Sequence, residues 1–331
     1  MKSSAVRLTV VLFLSLIFFS ACNRNKFNVD ISGIPEQKVF IHDYGTALFS
    51  LNRDSLKQEL VGIQDEFALF LGTEPLVDEQ IIQLSFYVND TFLKDLYKAY
   101  KNKFPSLNPL QNDIAEAFRY LLYYYPKTIL PEVYSYISGV QDAVIFQDNI
   151  LVLGLDNYLG ADCEIYARMG TPRYKMRSMT PQYVLRDIFS AMSLDKIPVP
   201  ASDGTILEYM IYEAKKLYFV KSMLPEMDDS ILLNFTEDQM QWYDDKESDL
   251  WKYYIENELL FKSDYDSKKK YINDAPFTSV LGNNSPPRTG IWLGYKILTA
   301  YAENNKLTLI DILNNPNAQE ILNKSKYKPG R

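Results

Sequence analysis

A short β-rich stretch in the middle of the chain limits its fold more than any other feature. The runs "VYSYISG" (133–139), "AVIFQDN" (143–149) and "ILVLGLD" (150–156) are rich in the β-branched and aromatic residues that strands favour. "QDN", between the last two runs, is typical of a hairpin turn. Elsewhere the apolar residues recur at every third or fourth position, which is the spacing of amphipathic helices. The sequence therefore predicts an α+β fold that is predominantly helical with one small β-sheet.

Helices are predicted on both sides of this stretch, together with a further short strand at 39–41. The first helical pattern covers 53–71 and stops at Gly72, because glycine favours helix ends. Asp90 is a good N-terminal cap for the second helix. The segment 237–260 fits one long helix or two short ones. The predicted helices are 53–71, 90–101, 112–125, 181–193, 207–218, 237–260, 286–303 and 308–313.

The N-terminal residues predict a lipid anchor. A positively charged start precedes an apolar run at 8–19, and two small residues lie just before Cys22, which is the layout of a secretory signal peptide. This run of about a dozen residues is too short to cross a hydrocarbon core of roughly 30 Å. The pattern "FSAC" (19–22) resembles a bacterial lipobox, in which the cysteine is acylated after cleavage, although leucine is more usual than Phe19 at that place. An ordinary secretory signal with a chance cysteine is the alternative.

The chain is accordingly predicted to have three parts. Residues 1–21 form a lipoprotein signal peptide, residues 22–35 form a tether after the lipidated Cys22, and residues 36–331 form a single α+β globular domain. The residues "NRNK" (23–26) contain no acidic cluster of the kind that directs lipoproteins to the cell surface. We therefore predict a protein that is lipid-anchored to the bacterial cell envelope and faces the periplasm.

The charge of the chain and its single histidine exclude several classes of function. The full chain has 35 Lys and Arg, 42 Asp and Glu and a net charge of −7, whereas nucleic-acid binding requires a basic surface. His42 alone cannot form an HExxH zinc helix, and the chain contains no GxSxG, GxxxxGK(S/T) or GxGxxG motif. Acylation of Cys22 would leave Cys163 without an intramolecular partner. No nucleic-acid partner, metal or other cofactor is therefore predicted.

Polar and aromatic residues beside glycines are the remaining candidates for a binding site. "LGLDNYLG" (153–160) follows a predicted strand, where binding groups are common, and "GTPRYKMR" (170–177) comes soon after it. "EYMIYEAKKLYF" (208–219) carries polar residues on the flank of an apolar helix, and "PPRTGIWLGYK" (286–296) contains glycines that allow close backbone approach. The candidate residues of a binding cleft are Asp156, Tyr158, Arg173, Tyr174, Arg177, Glu213, Trp292 and Tyr295.

These segments also have purely structural interpretations. Glu213 could pair with Lys216 at the helix surface, and "PPRTGIWLGYK" could be only the start of a helix. Two rival functions remain open. An envelope hydrolase that uses carboxylates would need two acids converging in one cleft, at least one of them with a raised pKa. A glycan- or peptide-binding lipoprotein would need only the cleft.

The lipobox, the four segments above in their order and the ending "ILNKSKYKP" (321–329) together resemble the gliding motility lipoprotein B (GldB) family of Bacteroidetes. "HDYGTALFSLNRDSL" (42–56) and "QMQWYDDKESDLWKYYIENELLF" (239–261) belong to the same resemblance, which covers nearly the whole mature chain. The resemblance implies a membrane lipoprotein for gliding on surfaces, with protein partners in a motility machinery tied to type IX secretion. It implies no enzymatic activity. The leading hypothesis is thus a non-enzymatic component or assembly factor of this envelope machinery.

A second resemblance concerns the fold. "EAKKLYF" (213–219) followed by "GIWLGYKI" (290–297) is similar to the layout of predicted zinc-dependent proteases, in which a helix with a glutamate follows the HExxH helix. The segment expected to hold HExxH, "PQYVLRDIFSAM" (181–192), contains no histidine. This resemblance implies, as an alternative, a degenerate zincin-like fold in a pseudoenzyme, with Glu213 as the remaining member of a lost metal site.

Overall fold

The structure is a computed structural model that describes residues 26–329. The predicted signal peptide and the lipidation of Cys22 lie outside the described residues. The chain divides into two units, Met1–Asp30 and Ile31–Arg331, and every helix and strand of residues 26–329 belongs to the second. None of these helices combines the length and the apolar composition that a membrane span requires.

Four short strands form the sheet of the described region. They are β1 (Ile41–Asp43), β2 (Glu132–Tyr136), β3 (Val144–Gln147) and β4 (Ile150–Gly154), in the order β1-β2-β4-β3. The strands β1, β2 and β4 are parallel, and β3 pairs antiparallel with β4. Asp148 and Asn149 make the tight turn with φ of 49° and 61°, a conformation that Asp and Asn tolerate. The predicted sheet and hairpin are confirmed, but the first strand begins at Ile41 rather than at residue 39, because its pairing begins opposite Val133.

Six helices lie between β1 and β2. They are α1 (Tyr44–Phe49), α2 (Leu56–Ile63), α3 (Ala68–Leu71), α4 (Asp78–Asn89), α5 (Thr91–Lys103) and α6 (Asn108–Tyr124). Asp90 caps α5 as predicted, since its carboxylate accepts a hydrogen bond from the backbone N–H of Leu93 at 2.9 Å. The prediction of one helix over 53–71 is wrong. The chain breaks after Ile63, which turns Phe67 into the core, and α3 then ends at Gly72 with φ of 76°.

The second half is mostly helical, as predicted. Its helices are α7 (Glu164–Arg168), α8 (Arg173–Met176), α9 (Val184–Ser193), α10 (Ile206–Met223), α11 (Asp229–Leu233), α12 (Glu237–Glu256), α13 (Tyr265–Tyr271), α14 (Thr289–Asn305), α15 (Leu309–Asn314) and α16 (Ala318–Ser325). The segment predicted as one or two helices is the single helix α12 followed by a 3₁₀ turn at Leu259–Phe261. Together these elements confirm an α+β fold that is mainly helical.

Helices α10 and α14 make the most extensive helix pair of this half. Glycines on α14 allow the two backbones to approach closely. A Cβ atom at Gly294 would lie 2.8 Å from the carbonyl carbon of Met210 and closer still to its oxygen. A Cβ atom at Gly290 would lie 2.8 Å from Cδ1 of Ile272. The close approach that the sequence predicted for this segment is therefore confirmed.

Residues 31–34, predicted as part of the tether, are held against helix α6. The guanidinium of Arg119 donates hydrogen bonds to the carbonyl oxygens of Ile31 at 2.9 Å and of Ile34 at 3.1 Å. Hydrogen bonds from a charged donor are stronger than those between neutral groups, so the hydrogen bonds from Arg119 fix the path of the chain toward β1. The predicted boundary between tether and domain at residue 35 stays a prediction.

Lys215 is a buried cation that caps the carboxyl end of α15. Its ammonium donates to the carbonyl oxygens of Leu313 at 3.0 Å and Asn315 at 2.5 Å, and its side chain lies within the core with only 5% of the residue exposed. Carbonyls at a helix end attract cations, but desolvation by burial lowers the pKa of Lys215 to about 8. The folded chain therefore releases this proton at lower pH than the unfolded chain does.

The contribution of Lys215 to stability should consequently rise with pH in the range where only the unfolded chain keeps that proton. We expect the free energy of unfolding of the wild type, relative to that of the Lys215→Met variant, to increase by about 1–2 kcal/mol as the pH rises from about 8 to 10.5. Both proteins lose stability at the upper end of this range, because burial raises the pKa of many tyrosines in the folded chain and the unfolded chain ionises first. Urea unfolding at several pH values measures it. Lys127→Met, the same substitution at an exposed position, is the control and should keep the wild-type slope. An equal slope in the Lys215→Met variant would contradict the assignment.

Candidate functional site

A groove of about 400 Å³ opens where the parallel strands β1 and β2 end. Helix α1 follows β1 directly and supplies Tyr44, while β2 ends at Tyr136 and continues into Ser138. Helices α3 and α4 supply the opposite wall. Ligands of sheets with parallel strands commonly bind outside the carboxyl ends of the strands. We call this site the strand-end groove; it is lined by Tyr44, Leu48, Phe70, Leu71, Leu76, Gln80, Gln83, Leu84, Tyr87, Tyr136, Ile137 and Ser138.

Aromatic rings form much of the wall of the strand-end groove. The rings of Tyr44 and Phe70 stack with centroids 4.3 Å apart and planes 3° apart, and Tyr136 lies 6.1 Å from Phe70. Desolvation by burial, with a smaller contribution from Asp142 and Asp156, raises the pKa of Tyr136 to about 12. Burial likewise raises the pKa of Tyr44. Both hydroxyl groups therefore stay neutral at physiological pH.

The polar groups of the strand-end groove are amides and hydroxyls rather than charges. None of the residues that line it is Asp, Glu, Lys, Arg or His. Gln80 uses its side-chain oxygen to accept from the backbone N–H of Val77 at the start of α4. Gln83 is exposed on the next turn. An amide side chain can both donate and accept a hydrogen bond, which matches a peptide group.

The loop after β2 forms one end of this groove and holds a strained backbone. Gly139 and Val140 have φ of 73° and 60°, and a β-branched residue rarely adopts this left-handed conformation. The carboxylate of Asp156 accepts from the backbone N–H groups of Ser138 and Val140, each at 2.8 Å, and from the hydroxyl of Ser138 at 3.1 Å. Strained backbone of this kind is common at functional sites, where the surrounding structure enforces it.

Asp156 acts by holding this loop rather than by contacting a ligand. It is 0% exposed, and burial raises the pKa of its carboxyl although the hydrogen bonds from Ser138 and Val140 act against the rise. Both of its oxygens already accept hydrogen bonds from the loop. The hydroxyl of Ser138 in turn accepts from the side-chain amide of Asn157 at 2.9 Å. This arrangement leaves neither group placed as an acid or nucleophile.

Three of the other residues predicted for a cleft lie in the surroundings of one polar region, at the carboxyl end of α11. The hydroxyl of Tyr158 donates to Asp187 at 2.8 Å, and Arg177 donates to the backbone oxygen of Asn234 at 2.6 Å. The ring of Trp292 stacks on that of Tyr243 with centroids 4.5 Å apart. Trp292 lies on α14, four residues after Arg288. Arg288 also donates a hydrogen bond to the backbone oxygen of Asn234. Tyr158 and Trp292 are buried, so they support this region rather than face solvent.

The remaining predicted residues do not join that region through any contact described. Arg173 is exposed and Tyr174 is half-buried on α8. Tyr295 is buried on α14, where burial raises its pKa. The two oxygens of Glu213 lie 3.1 Å and 2.9 Å from the ammonium of Lys216. This pairing on the helix surface is the structural interpretation that the sequence offered for Glu213.

The surroundings of Glu213 do not fit a zinc site. Zinc in proteins is held mostly by His nitrogen and Cys sulfur. The carboxylate of Glu213 is engaged by a lysine, and residues 26–329 contain no group of three His, Cys, Asp or Glu placed to hold a metal ion. The donor set seen here therefore suits an ion pair rather than a metal.

None of the residues that line the strand-end groove was predicted from the sequence as a site residue. Helix α4 was not predicted, although Gln80, Gln83, Leu84 and Tyr87 recur at helical spacing on it and form an uncharged stripe. That stripe is the signal that could have indicated a binding face. Ser138 and Asp156 lie in two separate predicted strand ends, and their contact could not be read from either one.

Comparison with protein families identifies a match over nearly the whole described chain. A family model described as gliding motility protein GldB matches residues 24–329. No curated protein matches the chain, and no solved structure does. The zincin-like relation therefore stays a prediction.

Proposed function

The chain belongs to the GldB family of gliding motility proteins, and from this we propose that it is a non-enzymatic component or assembly factor of the gliding motility and type IX secretion-associated machinery. In this proposal Cys22 carries the lipid anchor and the body faces the periplasm. The body acts by binding another protein of the envelope. The strand-end groove is the binding site, and its occupant is an uncharged, apolar polypeptide segment of that protein.

The absence of charge from the groove lining is the observation that carries this proposal. A groove with aromatic walls and without ionisable side chains gains most from burying apolar surface, and a charged ligand group would lose its hydration without compensation. Gln83 can pair with the backbone amide of an extended segment. These features suit a peptide better than an anionic glycan or a nucleotide.

Helix α4 and the residue before it also expose apolar side chains that are not part of the groove lining. On α4, Ile82 is 55% exposed and Phe86 is 74% exposed, and Val77 just before the helix is exposed as well. Neighbouring exposed apolar residues of this kind mark interaction surfaces in soluble domains. A protein partner can contact this face of α4 as well as the groove, whereas a small molecule in the groove cannot, so the exposed apolar residues support a protein partner.

A single substitution tests this binding site. Gln83→Arg places a charge at the mouth of the groove without disturbing the core, because Gln83 is exposed. We expect about tenfold weaker partner binding and a loss of colony spreading, with the protein at its normal level in the envelope. Asn89→Arg adds the same charge at the exposed end of the same helix and should leave spreading intact.

A photoreactive phenylalanine analogue at position 83 identifies the occupant. We expect a crosslink to another envelope protein that disappears in the presence of excess unlabelled wild-type body. A crosslink to lipid, or to a second copy of this chain, would overturn the assignment of the occupant. Normal spreading of the Gln83→Arg strain, with no crosslink to an envelope protein from position 83 or from a neighbouring groove position, would show that the groove is not the binding site.

A further inference from the structure

Three arginines from different elements converge on the carboxyl end of α11. Arg177, at the end of α8, donates to the backbone oxygen of Asn234 at 2.6 Å and to its side-chain oxygen at 3.3 Å. Arg288, just before α14, donates to the same backbone oxygen at 3.2 Å. Arg186, on α9, lies 3.5 Å from the carbonyl oxygen of Ile231. These three residues are called the arginine cluster.

Two carboxylates balance part of the charge of the arginine cluster. Asp187 pairs closely with Arg186, at 2.6 Å and 2.8 Å between guanidinium nitrogens and one carboxylate oxygen. Asp274 lies 3.7 Å from Nε of Arg288, which is an ion pair but too long for a hydrogen bond. The second oxygen of Asp187 is taken by the hydroxyl of Tyr158.

Arg177 has only neutral partners among the contacts of the described chain. It donates to Asn234 and, at 3.2 Å, to the side-chain oxygen of Gln239. Three guanidinium groups thus face two carboxylates, which leaves one positive charge in excess. Helix α8, which Arg177 caps at its carboxyl end, carries Arg173 and Lys175 and contains no acidic residue. A locally positive region of this kind stands out in a chain whose net charge is −7.

Arg288 has an unused donor in this region. Its Nε is buried and has no hydrogen-bond partner among the described residues. Its backbone is left-handed, with φ of 56°, and it forms the N-cap of α14, where the helix dipole adds partial positive charge. Burial and the neighbouring charges of Arg186 and Arg177 lower the pKa of its guanidinium, and Asp274 opposes the change. A buried donor without a partner is costly, and an anion would relieve that cost.

The side chains of the cluster keep access to solvent at their edges. Arg186 and Arg288 are 17% and 16% exposed in their side chains, and Arg177 is half-buried. The guanidinium groups are therefore not sealed from solvent. Guanidinium groups match the oxygens of phosphate in geometry, and charge-assisted hydrogen bonds of this type are the strong ones. A phosphate group has enough oxygens for several guanidinium groups at once, whereas a carboxylate has two.

We propose that the arginine cluster is a binding site for a phosphate group, either a free phosphate or the phosphate of a phospholipid headgroup. Arg177 and Arg288 are its principal donors, and Arg186, held by Asp187, supplies the third charge. The site is distinct from the strand-end groove, and it does not depend on the function proposed for that groove. The competing explanation is that the arginines only cap the carbonyl groups of α11.

Thermal unfolding of the unacylated body in sodium phosphate, sodium chloride and sodium acetate at equal ionic strength tests the site. We expect Tm to rise with phosphate concentration above its value in the other two salts, as ligand linkage requires. Arg177→Gln should weaken the apparent phosphate affinity about tenfold, through loss of one charge-assisted contact. Arg168→Gln, which removes an exposed charge on α7, should leave it unchanged. Arg177→Lys keeps the charge and replaces Arg177→Gln in this test if that variant does not fold. It should weaken phosphate binding less than Arg177→Gln does.

Flotation with vesicles distinguishes the two sources of phosphate. Binding to phosphatidylglycerol vesicles that depends on Arg177 but not on Arg168 supports the site as a headgroup site, even if free phosphate has no effect. Equal stabilisation by acetate and phosphate would overturn the assignment to phosphate. If the Arg177→Gln and Arg168→Gln variants respond to phosphate and to vesicles equally, the phosphate binds outside the arginine cluster. Absence of both the thermal shift and the vesicle binding in the wild type would show that the arginines only cap α11.

Discussion

Replacement of Asp156 with alanine is expected to lower the free energy of unfolding by about 3–4 kcal/mol. The substitution removes the acceptor for the backbone N–H groups of Ser138 and Val140, both at 2.8 Å. It also releases a loop whose Val140 is held in a left-handed conformation at a cost of about 1–3 kcal/mol. Without the carboxylate, the loop loses the three hydrogen bonds that compensate for this cost. Urea unfolding followed by circular dichroism measures the change.

The effect should depend on pH in a defined direction. Burial raises the pKa of Asp156 above its usual 3.8, so the folded chain holds this proton to higher pH than the unfolded chain does. The stabilisation that comes from proton uptake is full at low pH and decreases as the pH rises through the raised pKa. The loss of stability in the alanine variant should therefore be greater near pH 4 than at pH 7.

Two further variants make this result specific. Asp156→Asn keeps the size of the side chain but turns an amide N–H₂ toward backbone donors, so we expect a smaller loss of about 2 kcal/mol. Asp162→Asn changes an exposed carboxylate in the same stretch of chain and should change stability by less than about 0.5 kcal/mol. An alanine variant as stable as the wild type would contradict the view that Asp156 holds the loop.

The second large effect is expected at Gly294, where alanine should lower the free energy of unfolding by about 3 kcal/mol. The added methyl group would lie 2.8 Å from the carbonyl carbon of Met210, inside van der Waals contact with a backbone that cannot rotate away. Helices α10 and α14 would have to separate, and the stacked pair of Trp292 and Tyr243 would move with α14. Loss of the near-UV circular dichroism of this aromatic pair should accompany the loss of stability.

Gly62 provides a matched control for this prediction. It also lies within a helix, α2, but a Cβ atom there would meet nothing within 4 Å. Gly62→Ala should therefore stabilise the protein by about 0.5–1 kcal/mol, because alanine loses less backbone entropy in a helix. If both alanine variants gain stability, the close approach of α10 and α14 is wrong.

The fold class was readable from local sequence because each strand carries its own signal. The runs at 132–136, 144–147 and 150–154 are rich in β-branched and aromatic residues, and the turn at Asp148 and Asn149 uses residues suited to its conformation. Helix ends were readable for the same reason where a cap was present, as at Asp90 and Gly72. Each of these signals lies within a few residues of the feature that it predicts.

The break within the predicted helix 53–71 could not be read in this way. The apolar spacing continues through Phe67, but in the folded chain Phe67 packs near Tyr44, with ring centroids 5.3 Å apart. The gain from burying a large aromatic ring outweighs the few hydrogen bonds lost where the helix stops. Tertiary packing of this kind does not change the local spacing of apolar residues, so that spacing cannot predict it.

The candidate sites were only partly readable because their contacts join distant parts of the chain. The sequence singled out Asp156 and Arg177 as polar groups near glycines, and both occupy central positions. It placed them in one cleft with Glu213, however, whereas Asp156 holds a loop through backbone N–H groups of residues 138 and 140. Backbone donors are the same in every residue, so a sequence cannot show which of them a carboxylate will meet.

The pairing of β1 with β2 has a consequence for how the chain reaches this fold. Asp43 and Ser135, which face each other in the two strands, are 92 residues apart in sequence. Closing so large a loop costs entropy before any strand contact repays it, and contacts of long range slow folding. A polypeptide delivered N-terminus first would hold β1 unpaired until β2 arrives, with the aromatic rings of α1 and α3 uncovered in the meantime. Such an intermediate exposes apolar surface and is prone to aggregation.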